Sequence, residues 1–407
     1  MCKFYVIGIS DEAKPVLSDE LKSIISKAHC FSGGKRHYEL VCDLLPVDHQ
    51  WIEVLVPLKQ TFDHYRQVYE NIVVFASGDP LFFGIANTLK REFPHESIKV
   101  YSSFNSLQML AQACLIPYGN MVVATLTGRP WENLDQELIK GTPLIGILTD
   151  KRKTPAAIAQ RMLAVGLTNY KVYLGERIGG ERQQVKELSI EELAVTETVM
   201  PNCLILEKVI HFDRVTGINE KDFHYLDGRP KMITKRSIRL MSLSMLKLDN
   251  AKVFWDIGFC TGSVSIEAKQ MAPQLSVFAI EKREESRELM AKNQYKFHIP
   301  GIQATIGDFF NFNLDEWPQP DRIFIGGHGG RLHDMMKRLN QRLKPGGIIV
   351  FNAVSQETAE AFKRAATDLE LAVTDTMLIK QDEHNPVTIF QATKQDANTS
   401  QLNSSKI

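Results

Sequence analysis

Short, β-branched apolar runs recur along the whole chain, and segments with helical spacing separate many of them. In the first half they read KFYVIGI, IEVLV, NIVVFA, SIKVY, MVVAT, PLIGIL and KVYL. Runs of this length are what strands buried on both faces look like, and such strands need crossover helices to cover them. Ser18 to Ala28 supplies one such helix, because Leu21, Ile24, Ile25 and Ala28 fall at i, i+3, i+4 and i+7. The chain is therefore expected to be α/β.

From about Lys208 to Lys231 the alternation lapses into HFDRVTGINEKDFHYLDGRPK, rich in charge, Gly and turn residues. A chain of 407 residues is long enough for two cores, and this stretch sets the expected boundary, with domains 1–208 and 209–394. A helix, TKRSIRLMSLSMLKL, opens the second domain, followed by VFWDI, SVFAI, DRIFI, GIIVF, LAVTDTMLI and VTIFQAT. No helix separates the last two, which predicts an antiparallel pair closing an otherwise parallel sheet. The end, KQDANTSQLNSSKI, is almost without apolar residues, so 395–407 is expected to be a disordered tail.

Lys plus Arg equals Asp plus Glu at 48 each, so nothing draws the whole chain to nucleic acid or an acidic membrane. No apolar run approaches the roughly 20 residues that span a bilayer. The opening MCKFYVIGIS soon meets Asp11 and Glu12 and reads as a first strand rather than a leader. Cys2, Cys30, Cys42, Cys114, Cys203 and Cys260 are scattered, with no C-x-x-C pair and no His at ligand spacing. A reduced, cytoplasmic protein without a metal site is expected.

Chemistry concentrates in VFWDIGFCTGSVSIEA, Val253 to Ala268. A strand ending in Asp256 passes through Gly258 and Gly262 into a helix starting near Thr261, with Val264, Ala268 and Met271 on its apolar face. In an open α/β sheet the ligand lies at the carboxyl ends of the strands, and the first turn must let the backbone approach it. Glu281 ends the next strand, where a carboxylate accepts both hydroxyls of a ribose, and Asp308 follows the strand after that. Three acidic strand ends in succession point to a nucleoside site. Cys260 stands where a dinucleotide turn brings its backbone to a pyrophosphate, which disfavours NAD. The cationic, phosphate-free S-adenosylmethionine suits Asp256 better.

The pattern D-x-G-x-x-T-G with an acidic second strand end resembles the first two motifs of class I methyltransferases, though Cys260 departs from their usual D-x-G-x-G-x-G. In the first half, VVFASGDPLFFGIANT contains a Gly78-Asp79-Pro80 loop and keeps company with GGKRHYEL, YSSFNSLQML, TGR, TDKRKTPAAIAQRML and YLGERIGGERQQV. In this order and spacing these resemble the tetrapyrrole methyltransferases, whose Gly-Asp-Pro loop holds S-adenosylmethionine between two α/β lobes; Ser10 replaces the second glycine of that family's first loop. Together the halves resemble the decarboxylating precorrin-6Y methyltransferases of corrin biosynthesis, from Phe4 to about Ala392.

The resemblance implies a two-lobed tetrapyrrole methylase (class III) domain followed by a Rossmann-like class I domain. It further implies methylation of a reduced tetrapyrrole at bridging carbons 5 and 15, decarboxylation of the ring C acetate, and a homo-oligomer. Carried over by motif, the cofactor residues are Gly78, Asp79, Pro80 and Ser103 in the first half. In the second they are Thr234, Asp256, Gly258, Phe259, Cys260, Thr261, Gly262, Glu281, Asp308 and Phe309. Phe309 stands where a small residue is usual.

A tetrapyrrole carries many carboxylates, which Lys and Arg clamp by charge-assisted hydrogen bonds. Lys235, Arg236, Arg239 and Arg331 are the candidates, and His328 in GGHGG is a candidate acid or base. Three rivals stay open: an RNA or protein methyltransferase, a first half that binds tetrapyrrole without catalysis, and an NAD-dependent oxidoreductase.

Overall fold

The computed structural model describes residues 3–10, 15, 17–380 and 385–395. Asp11, Glu12 and the expected tail beyond Gln395 lie outside the described residues. Two compact units result: Met1–Arg129, Pro143–Ala159 and Tyr170–Val209 form one, and Pro130–Thr142, Gln160–Asn169 and Ile210–Ile407 the other. The second unit thus takes two segments from before the sequence boundary.

The first unit is built on two sheets. Strands β1 (Lys3–Ile9), β2 (Cys30–Gly33), β3 (Gln50–Glu53), β4 (Ile72–Ser77) and β5 (Ser97–Tyr101) form an all-parallel sheet in the order β3-β2-β4-β1-β5. Its central strands are continuous apolar runs because helices cover both faces: Phe4, Val6, Ile72 and Val74 pack in one core, and Ile7, Ile9, Val73 and Phe75 in the other. The predicted helix spans Asp19–Lys27, and the Ser18 hydroxyl caps it by accepting from the Leu21 N–H at 3.3 Å. The second sheet holds β6 (Val122–Thr125), β7 (Leu144–Leu148), β8 (Tyr170–Glu176), β9 (Gln184–Leu188) and β10 (Asn202–Lys208) in the order β6-β7-β10-β8-β9. It is mixed, with β10 antiparallel to both its neighbours.

The second unit carries a seven-stranded sheet of β11 (Val253–Ile257), β12 (Ser276–Glu281), β13 (Ile302–Ile306), β14 (Arg322–Ile325), β15 (Ile348–Ala353), β16 (Leu371–Ile379) and β17 (Val387–Lys394). The order is β13-β12-β11-β14-β15-β17-β16, and β17 alone runs against its neighbours. The expected closing pair is present. The strand order reverses between β11 and β14, so the loops after these strands diverge and open a crevice at their carboxyl ends.

Several details differ from expectation. IEVLV stops as a strand at Glu53, because the Leu55 N–H donates to the Thr61 hydroxyl at 3.1 Å instead of to a neighbouring strand. The helix after the glycine turn spans Ser263–Met271 and is buried around its circumference, but Met271 at its end is 43% exposed and leaves the expected apolar face.

Candidate functional site

A cavity of about 610 Å³ lies at the carboxyl ends of β11, β12, β14 and β15. Its floor is the turn after β11, where Gly258, Cys260 and Gly262 have φ of +81°, +49° and +75°. A Cβ on Gly258 would come within 2.8 Å of the Gly327 nitrogen, so glycine lets the loops after β11 and β14 touch. Cys260 holds a left-handed conformation as a side-chain-bearing residue, at a cost of about 1–2 kcal/mol. Its N–H donates to Glu281 Oε2 at 3.2 Å and its thiol to the Met232 carbonyl at 3.2 Å. Burial pushes that thiol up to about 11, which leaves it unreactive.

Asp256 and Glu281 stand below the turn, both buried. Asp256 Oδ2 accepts from the Ser265 hydroxyl at 2.6 Å, whereas Oδ1 is buried without a partner among the described residues. Burial raises its carboxyl to about 7, with the Ser265 hydrogen bond opposing the rise and the Glu281 charge adding to it. Glu281 Oε1 accepts from the Lys282 and Arg283 N–H groups at 2.9 and 3.2 Å and from Arg283 Nη1 at 2.9 Å, which fixes the carboxylate at the strand end. Thr234, Phe259, Thr261, Asp308 and Phe309 also line the cavity. Asp308 Oδ1 accepts from the Phe310 N–H at 2.7 Å, and the buried Phe309 ring sits under the Arg338 guanidinium at 5.2 Å. Gly262 does not line the cavity; its φ of +75° favours glycine, and a Cβ there would also crowd Met290 Sδ at 2.3 Å.

The cationic candidates divide. Lys235 and Arg331 line the cavity together with Lys231, Lys282 and Arg283. The Arg331 guanidinium lies over the Phe310 ring at 3.7 Å and pairs with Asp334 at 3.2 Å. Arg239 is a correction: it is fully buried, ion-paired with Glu267, and donates to the Thr234 and Ile218 carbonyls, so it braces the wall and clamps no ligand. Arg236 is exposed and outside the lining, with its backbone N–H donating to Glu220 at 2.5 Å. His328 lines the cavity; its Nδ1 accepts from the Gly330 N–H at 3.2 Å, which places the ring proton on Nε2, and burial lowers its basicity.

In the first unit a second cavity of about 240 Å³ is lined by Ser10, Gly78 and Asp79 together with Arg36, Asn105 and Asn202, which motif spacing did not single out. Gly78 has φ of +60°, and a Cβ there would meet Asn105 Cα at 2.9 Å. Asp79 Oδ1 accepts from the Leu81 N–H at 2.9 Å and the Ser102 hydroxyl at 2.8 Å, so it shapes its own loop. Pro80 and Ser103 lie outside this lining: the Pro80 carbonyl accepts from the Ala86 N–H and the Ser103 N–H donates to the Gly78 carbonyl. A larger groove of about 770 Å³ flanks the edge strand β3 and contains none of the candidate residues.

An open sheet of this order, with a glycine turn after β11 and a carboxylate ending β12, gives the second unit the fold of the class I methyltransferases. Residues 224–406 match the family described as precorrin methyltransferase domain, and residues 3–194 match the tetrapyrrole (corrin/porphyrin) methylases. A precorrin-6Y C(5,15)-methyltransferase [decarboxylating] from Sinorhizobium sp is 28% identical over 86% of this chain and 84% of its own length. A cobalt-precorrin-6B C(15)-methyltransferase (decarboxylating) from Salmonella typhimurium is 34% identical over 34% of this chain and 70% of its own length. The crystal structure of precorrin-6Y C5,15-methyltransferase from Geobacter metallireducens GS-15 is 35% identical, covers 44% of this chain and 97% of its own, and has a TM-score of 0.41. The chain belongs to the decarboxylating precorrin-6Y methyltransferase family.

Proposed function

We propose that this enzyme methylates precorrin-6Y at carbons 5 and 15 and decarboxylates the ring C acetate, using S-adenosylmethionine at two sites per chain. One observation carries the reading: a single cavity joins a buried carboxylate with an unpartnered oxygen, Asp256, to a rim of Lys231, Lys235, Lys282, Arg283 and Arg331. The carboxylate suits the α-ammonium at the amino acid end of the cofactor, Glu281 suits its ribose, and the rim suits a polycarboxylate macrocycle.

S-adenosylmethionine would supply the methyl group. The methylated carbon belongs to an electron-rich conjugated ring, so alignment with that group supplies much of the catalysis and no protein nucleophile is required. Lys235 and Arg331 would hold the peripheral carboxylates and set that alignment. The same ring is the electron sink for decarboxylation, and the carbon left by carbon dioxide would take its proton from solvent through Nε2 of His328, which is reprotonated as it donates.

The proposed division assigns one methylation to 1–208, through the Gly78-Asp79 loop, and the other with decarboxylation to 209–394. A homo-oligomer is part of this reading, supported by the edge strand β16, which exposes Val373, Met377 and Leu378. So is a cytoplasmic location; among the described residues no helix is long and apolar enough to cross a membrane. Calorimetric titration with S-adenosylhomocysteine tests the scheme. Two sites are expected, with Gly78→Ala removing one and Gly258→Ala the other. A single site unaffected by Gly78→Ala would make the first half a tetrapyrrole-binding module.

A further inference from the structure

Between β10 and the helix Arg236–Leu246 the chain has no regular structure except one short turn at Glu220–Asp222. Its later part nonetheless forms a wall of the second unit's cavity through Lys231, Met232, Ile233, Thr234 and Lys235. Segments without a hydrogen-bond ladder must satisfy their backbone elsewhere, and here a buried side chain does so. Asn293, on the helix Glu285–Phe297, accepts from the His224 N–H at 2.8 Å and donates back to the His224 carbonyl at 3.0 Å, as a strand neighbour would. Its Nδ2 also donates to the Thr261 carbonyl, at 2.8 Å, inside the glycine turn. The three backbone partners fix which way the amide points. A second tie runs from the Cys260 thiol in the turn to the Met232 carbonyl in the segment. Between these two anchor points Asp227 to Lys231 are exposed.

We propose that Asn293 is a positioning residue that couples cofactor binding at the Gly258–Gly262 turn to the seating of the segment 224–235, which presents Thr234 to the cofactor and Lys235 to the substrate. The proposal rests on reading that turn as the cofactor site. Loading the turn fixes the Thr261 carbonyl, the Asn293 amide transmits that to His224, and Cys260 transmits it to Met232. The cofactor thereby assembles part of the substrate wall.

Hydrogen–deuterium exchange of the full chain with and without S-adenosylhomocysteine tests this. In the parent chain the ligand should slow exchange in both 258–262 and 225–235. In Asn293→Ala the turn should still be protected while the segment loses its protection, and affinity should fall about 10-fold, within the usual range of coupling between linked sites. Cys260→Ala, which leaves the amide ties in place, should show the same loss of segment protection to a smaller degree, and it provides the readout if Asn293→Ala does not fold. Equal segment protection in parent and variants would overturn the coupling. Protection of the turn without the segment in the parent chain would also overturn it and leave the cofactor reading standing; no protection of the turn would overturn both.

Discussion

The Ser265 hydroxyl donates to Asp256 Oδ2 at 2.6 Å, while the other oxygen of the same buried carboxyl has no partner among the described residues. One serine thus offsets part of the cost of holding a charge beneath the turn. The group titrates near 7 because burial outweighs that single bond.

A pH dependence follows. The folded carboxyl keeps its proton up to about 7, whereas an unfolded Asp loses it near 4. The native state therefore binds the extra proton between those values, so stability falls as pH rises across that window and levels off above it. Binding runs the other way, because the ligand's α-ammonium group needs the ionised form. Affinity for S-adenosylhomocysteine should rise about 10-fold from pH 6 to 8, as the competent fraction grows. Calorimetry on Asp256→Asn should show weak binding with a flat profile.

Removal of one partner from the Arg239–Glu267 pair should be costly. Both are fully buried, and Glu267 also accepts from the Gly217 and Ile218 N–H groups at 2.6 and 3.0 Å. Glu267→Ala leaves a guanidinium without a counter-charge, and about 3–5 kcal/mol should be lost in denaturant unfolding.

Substitution at Cys260 separates backbone strain from side-chain packing. Cys260→Gly relieves a left-handed conformation but loses the thiol contact and gains unfolded-state entropy, so stability should stay within about 1 kcal/mol. Cys260→Val places a β-branched residue at the same φ and should cost about 2 kcal/mol or more. Thermal unfolding of the pair checks the ordering.

His328 should matter to chemistry more than to cofactor binding. With Nδ1 occupied by the Gly330 N–H, Nε2–H is the group left to donate. His328→Ala should lower turnover about 100-fold or more and change the dissociation constant of S-adenosylhomocysteine less than twofold. Equal methylation and decarboxylation rates in parent and variant would remove the acid role.

The fold was most legible where the information is local. VFWDI and LAVTDTMLI coincide with β11 and β16, since their patterns are set by a single buried or edge environment. Gly78 and Gly258 were legible because a positive φ selects glycine at the position itself. Strand β9, QVKEL, gave little signal because it is an edge strand with mostly exposed side chains. Arg239 looked like its cationic neighbours, and only Glu267, far along the chain, decides that it turns inward. Asn293 carries no motif at all; its role arises from two backbone segments brought together by the fold.

The placement of β17 orders events during synthesis. Among the described residues β16 pairs only with β17, and β17 fills the position between β15 and β16. When β16 leaves the ribosome it has no strand to join, and the outer edge of β15 stays bare until Val387–Lys394 follows. The second unit can close its sheet only once Val387–Lys394 has been made, and a chain stopped before that strand would expose a sticky edge beside the cavity.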